Sequence, residues 1–185
     1  MSPDAIVVGV FGVLGVVAGV LVERIARSWG RLRCEASVRS LRLTGVEDEE
    51  GYPREVRLED ADETTEANGA SYHAALTLFN GKEVPTGLRD LAVVFVSADG
   101  RREPDHPDDP ESARRTSAGT FIFDRLAVLN LQPRQFKRLE LRGEFGKDAA
   151  DALKTGRWER IMFEAQRPKR PLLWRKTYRK TIIKP

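Results

Sequence analysis

From Ala5 to Val22 the chain runs for 18 residues on Val, Gly, Leu, Ala, Ile and Phe alone. An α-helix of that length rises about 27 Å, close to a hydrocarbon core of about 30 Å. A run this long has no face left for water, which argues against a surface helix of a globular domain. A cleaved leader fits less well, because Met1, Ser2, Pro3 and Asp4 carry no basic side chain and Glu23, Arg24, Ile25, Ala26 and Arg27 make a poor small-x-small cleavage site. The sequence therefore predicts one transmembrane helix over 5–26. Residues 1–4 form a short extracytoplasmic N-terminus, 27–33 a basic juxtamembrane segment, and 34–185 a single domain. Arg24, Arg27, Arg31 and Arg33 follow the run and only Asp4 precedes it, so the domain is expected in the cytoplasm.

Gly9, Gly12, Gly15 and Gly19 project within a sector of about 120° on such a helix. A smooth stripe of this kind lets two helices approach to backbone contact, and Gly15 with Gly19 has the GxxxG spacing, so these four glycines are candidate helix-packing residues of a homodimer.

Beyond Arg33 the period changes from helical to alternating. Cys34, Ala36 and Val38 share one face and Leu41 and Leu43 the other, which predicts a bulge near Ser40. Tyr72 to Phe79 alternates and ends at the turn signal Asn80-Gly81, and Leu91 to Ala98 is continuously apolar, as expected of a central strand covered on both faces. Thr120 to Phe123, Leu126 to Leu131, Leu139 to Phe145, Trp158 to Ala165 and Leu172 to Ile183 complete seven to nine strands. Lys147 to Thr155 reads as one short helix, capped by Asp148 and closed by Gly156. Strands joined by turns with little helix between them predict a mainly β domain, an antiparallel β-sandwich or partly open barrel. Glu47 to Gly69 and Asp99 to Ala118 are expected to be surface loops.

Charge in this domain is segregated. Glu47 to Glu66 holds ten acidic residues against Arg54 and Arg57, while Gln166 to Pro185 holds eight basic residues and no acid. The two segments could neutralise one another. Alternatively, Arg167, Lys169, Arg170, Arg175, Lys176, Arg179 and Lys180 join Arg24, Arg27, Arg31 and Arg33 as an anionic-surface-binding set. Under an anionic leaflet each basic side chain near the surface contributes about 1 kcal/mol. Trp174 and Tyr178 within the basic tail also suit a single nucleic-acid strand, but the acidic half of the domain would repel a polyanion, and no recognition helix is present.

Catalytic signatures are missing: the sequence has no GxSxG, GxxxxGK[ST], HExxH or helix-opening GxGxxG. One Cys and two His cannot build a four-ligand His/Cys zinc site. His73 falls mid-strand, as a packed or surface residue. Asp105, His106, Asp108 and Asp109 have ligand-like chemistry, yet neighbours in a Pro-rich loop rarely converge, and Asp60 with Asp62 has no partner in view. Cys34 lies beside the expected membrane, where palmitoylation is conceivable, but its strand position favours burial. No cofactor, metal or catalytic residue is expected. The reading is a membrane-anchored binding or scaffolding module with an unknown protein partner; the alternative is a small-ligand sensor signalling through the glycine-striped helix.

Overall fold

The computed structural model describes residues 20, 30–47, 50–61, 65–167 and 177–185. Eleven strands and one helix are found among them: β1 (Leu32–Glu47), β2 (Pro53–Arg57), β3 (Gly69–Asn80), β4 (Thr86–Ser97), β5 (Arg102–Asp105), β6 (Arg114–Arg115), β7 (Phe121–Ile122), β8 (Val128–Leu131), β9 (Phe136–Phe145), α1 (Lys147–Lys154), β10 (Trp158–Gln166) and β11 (Thr177–Ile183). Every pairing is antiparallel. One sheet runs β2-β1-β3-β9; the other runs β11-β10-β4-β5, with β8 continuing the β5 edge of β4. The two sheets make a β-sandwich, and β6 with β7 forms a separate ribbon.

The expected bulge is present. The register between β1 and β3 slips between Val38 and Ser40, so that Cys34 and Ala36 before it, and Leu41 and Leu43 after it, all face the core cluster or its margin, with Val38 half-buried at the slip. A one-residue slip exchanges the two faces of a strand, and here it matches the phase change in the sequence. From Leu91 to Val96 every residue of β4 is buried: Leu91, Val93 and Phe95 enter the main core, whereas Ala92, Val94 and Val96 join Met162 of β10 in a second cluster on the other face. Across that second face Glu164 holds Arg102 at 2.5 Å and Arg179 at 2.7 Å.

Some expectations are corrected. Both expected loops contain strands, β2 in the first and β5 and β6 in the second. The N-cap of α1 is Gly146, without a side-chain capping bond, and Asp148 lies in the first turn, where a carboxylate favours the positive end of the helix dipole. Asn80-Gly81 turns the chain from one sheet to the other, since β3 pairs with β1 and β9 while β4 pairs with β10, β5 and β8. No helix among the described residues is long and apolar enough to cross a membrane. The expected transmembrane helix over 5–26 lies outside them, Val20 apart, and so do Gly9, Gly12, Gly15 and Gly19.

The register gives the sandwich two distinct ends. Leu32 of β1 lies opposite Asn80, Thr86 opposite Leu131, and Gln166 opposite Thr177; with Phe136 opposite Phe79, these define the end at which the chain enters, the proximal end. Glu47 with Pro53, Gly69 with Thr44, and Ser97 with Trp158 mark the distal end.

Candidate functional site

Two sets of residues qualify, one at the proximal end and one on the outer face of the β1-β3-β9 sheet. At the proximal end Arg31 and Arg33 are exposed, and the backbone is fixed by Gly81 N donating to Arg31 O at 3.2 Å. Gly30 precedes them with φ +114° and packs so closely on Gly81 that a Cβ would overlap the Gly81 carbonyl. Arg167 stacks its guanidinium 5.3 Å from the Tyr178 ring centroid, and its buried Nε has no hydrogen-bond partner among the described residues. Arg179 is engaged with Glu164, and Lys180 is half-buried near Cys34. Arg24, Arg27, Lys169, Arg170, Arg175 and Lys176 lie outside the described residues. Gln166 and Thr177, the nearest paired residues on either side of the last four, lie opposite each other at the proximal end.

Of the acidic segment, Glu47 and the return to Gly69 are at the opposite pole, whereas β2 carries Glu55 and Glu59 back along β1. The β1-β2 turn, where Glu47 lies opposite Pro53, and the return to Gly69 are both distal. Within it Glu55 pairs with Arg42 at 3.1 Å and Glu59 with Arg57 at 3.3 Å.

The second set lines an open cleft of about 600 Å³. Ser40 and Arg42 of β1, Ser71 and His73 of β3, and Arg142 and Glu144 of β9 present side by side because Ser40 is opposite His73, Arg42 opposite Ser71, His73 opposite Arg142 and Ser71 opposite Glu144. Asp105, His106, Asp108 and Arg125 close one side. His73 Nε2 is 3.0 Å from Glu140 Oε2. Burial opposes ionisation of Glu140, but Arg138 and His73 outweigh it and hold the carboxyl below the usual range. His106 Nδ1 lies 2.9 Å from Leu91 O, and Asp105 Oδ2 accepts from Tyr72 OH at 2.6 Å. Burial, reinforced by that carboxylate, pushes the Tyr72 hydroxyl well above its ordinary pKa, so it stays protonated and donates. The bond passes through a gap that only glycine leaves open: a Cβ on Gly143 would overlap Asp105 Oδ2 and approach Tyr72 OH.

The ligand-like loop therefore disperses. Asp105 bonds Tyr72, His106 bonds a carbonyl, and Asp109 Oδ1 accepts from Glu111 N at 3.0 Å. No three His, Cys, Asp or Glu side chains among the described residues are placed to hold a metal. Asp60 ends a short 3-10 turn, and Asp62 lies outside the described residues. Burial, the largest cause, pushes the Cys34 thiol up to about 11, so it is a weak nucleophile at neutral pH. Among the described residues, the ring-nitrogen contacts of His73 and His106 are to Glu140 and the Leu91 carbonyl, and the cleft presents side chains of both charge signs. Sequence reasoning singled out His73 and the Asp105–Asp109 loop without reading either as a site, and it passed over Arg125 and also Arg42 and Arg142, which are polar positions in strands.

No curated protein and no solved structure matches the chain. Residues 49–182 match the YopI Ig-like domain, a stretch that covers β2 to β10 and nearly all of β11; β1 precedes it, although it lies between β2 and β3 in the sheet. With most of its length matched and an antiparallel sandwich to go with it, the chain belongs to the YopI Ig-like domain family.

Proposed function

We propose that this protein is a single-pass membrane-anchored binding or scaffolding module. Residues 5–26 cross the bilayer with the N-terminus outside, and the Ig-like domain stands with its proximal end against the anionic inner leaflet. It acts without catalysis, presenting its acidic distal pole and charged cleft to a protein partner. The observation that carries the reading is the shared location of three things: the point where the chain enters, the exposed Arg31 and Arg33, and the two residues bracketing the basic stretch 168–176. A basic surface facing the end from which a membrane tether arrives gains about 1 kcal/mol per side chain in reach of anionic lipid. The acidic pole is then directed away from lipid of the same sign.

The small-ligand sensor has less support, because the cleft of about 600 Å³ is open and lined by charged side chains, unlike an apolar ligand pocket. The glycine stripe supports a homodimer through the helix; replacing Gly15 and Gly19 with Ile is expected to reduce crosslinking of the full chain in membranes, and equal crosslinking would remove the dimer. Alkaline carbonate extraction and protease added to intact cells test the anchor and its orientation. The chain should stay in the pellet and its C-terminal domain should survive. Release by carbonate would refute the anchor, and loss of the domain would refute the orientation.

A further inference from the structure

Between β5 and β8 the chain makes an excursion that the binding reading does not use. Asp108 N donates to Arg142 O at 3.4 Å and Glu111 pairs with Lys137 at 3.6 Å, so the segment runs down the outer edge of β9 towards the proximal end. From a base where Asp109 N donates to Asp124 O at 2.7 Å and Leu126 N to Pro107 O at 2.9 Å, it rises into the β6-β7 ribbon, which exposes three consecutive large apolar side chains: Phe121 (59%), Ile122 (51%) and Phe123 (43%). Apolar groups grouped in this way on a surface mark a contact site.

The ribbon is built to hold them there. Thr116 N donates to Thr120 O at 2.7 Å and Gly119 N to Thr116 O at 3.0 Å, closing the turn. At the base Asp124 N donates to Ser112 Oγ at 2.7 Å, and Arg114 pairs with Asp124. β6 and β7 pack chiefly on each other, so the apolar side chains of β7, and Phe123 after it, stay exposed between the polar turn Thr116–Thr120 and the base. From Ala113 to Phe123 there are two arginines, Arg114 and Arg115, and no acidic residue. The proximal end adds Phe136, 69% exposed and stacked 4.3 Å from Phe79.

We infer that the ribbon is a lipid wedge, which sinks Phe121, Ile122 and Phe123 into the interfacial layer of an anionic bilayer while Arg115, next to the Arg114–Asp124 pair, meets its headgroups. The inference rests on the membrane anchoring proposed above. Aromatic and aliphatic side chains flanked by arginine are the composition of interfacial segments, and charge complementarity selects an anionic surface. A tether keeps that surface at high effective concentration, so three side chains suffice.

The test uses the full chain with Cys34→Ala, reconstituted in phosphatidylcholine vesicles containing phosphatidylglycerol. An environment-sensitive fluorophore is placed on Ile122→Cys or, as the distal reference, on Gly51→Cys. Brominated lipid should quench the label at 122 several-fold more than at 51, and adding Phe121→Ser with Phe123→Ser should abolish the difference. Equal quenching at the two positions would overturn the wedge, as would a blue shift at 122 that occurs without quenching and vanishes as protein is diluted into lipid, which assigns the ribbon to a second copy. Carbonate extraction of the same vesicles separates the two ideas. Retention without quenching at 122 leaves the anchor and removes the wedge, whereas release with quenching leaves the wedge and removes the anchor.

Discussion

At the proximal end the sandwich is closed by Asn80, fully buried, whose Nδ2 reaches the carbonyls of Val84 (2.9 Å), Leu131 (3.2 Å) and Gln132 (3.0 Å) while its Oδ1 accepts from Lys82 N and Thr86 Oγ1. The distal end is closed by rings: Tyr72 on Phe145 at 5.0 Å, Phe145 near Phe95 at 5.7 Å, and Phe95 over Trp158 at 6.4 Å. The difference follows from what each end contains. Irregular connections converge at the proximal end, and their buried carbonyls must find donors. Strands and α1 meet at the distal end, their backbone groups already paired, so apolar area alone can fill the space. A polar knot also suits the end beside charged surface, where loops gain from being fixed.

Four substitutions sharpen or break this contrast, each read by chemical denaturation of the full chain. Phe145→Ala should have the largest effect, about 4 kcal/mol, by opening a cavity in the ring stack; a loss below about 1 kcal/mol would show that the distal end does not depend on it. Asn80→Ala should cost about 3 kcal/mol, because several buried carbonyls and the Thr86 hydroxyl lose their partner. If it proves as mild as a surface change, the proximal knot is not a closure. Gly143→Ala should destabilise by about 2 kcal/mol through the clash with Asp105 and Tyr72, and Tyr72→Phe in the same background should relieve part of that loss. Arg134→Ala removes an exposed proximal ion pair with Glu83 at 2.5 Å and should change stability by less than about 0.5 kcal/mol. A larger effect would mean that the proximal end relies on surface charge as well as on Asn80.

The features visible in the sequence were those set by local period. The bulge after Val38 was visible because apolar residues change phase there, and β4 because six buried residues run together. β2 and β5 were not, since both are short, polar strands whose existence depends on a neighbour from elsewhere in the chain. The cleft was hidden for a related reason. Arg42, His73 and Arg142 are brought together only by the order of β1, β3 and β9, and nothing local in a polar strand position states which distant residue will lie opposite it. Gly143 has no local signal either, because the Asp105 carboxylate that leaves no room for a Cβ there comes from a strand of the other sheet. Asn80 was recognised as a turn signal, while its five hydrogen bonds depend on loops up to 52 residues away.

The way the chain joins the fold sets how the domain answers to force. Gly30 is wedged on Gly81, and β1 begins two residues later, paired with β3 from Leu32 to Thr44. A pull applied through the residues before Gly30 is directed along β1, so the ladder bonds, which lie across the strand, are loaded together in shear. Peeling them singly would require pulling from the side. A load directed along β1 is thus borne by a central strand of the sandwich, paired on both sides.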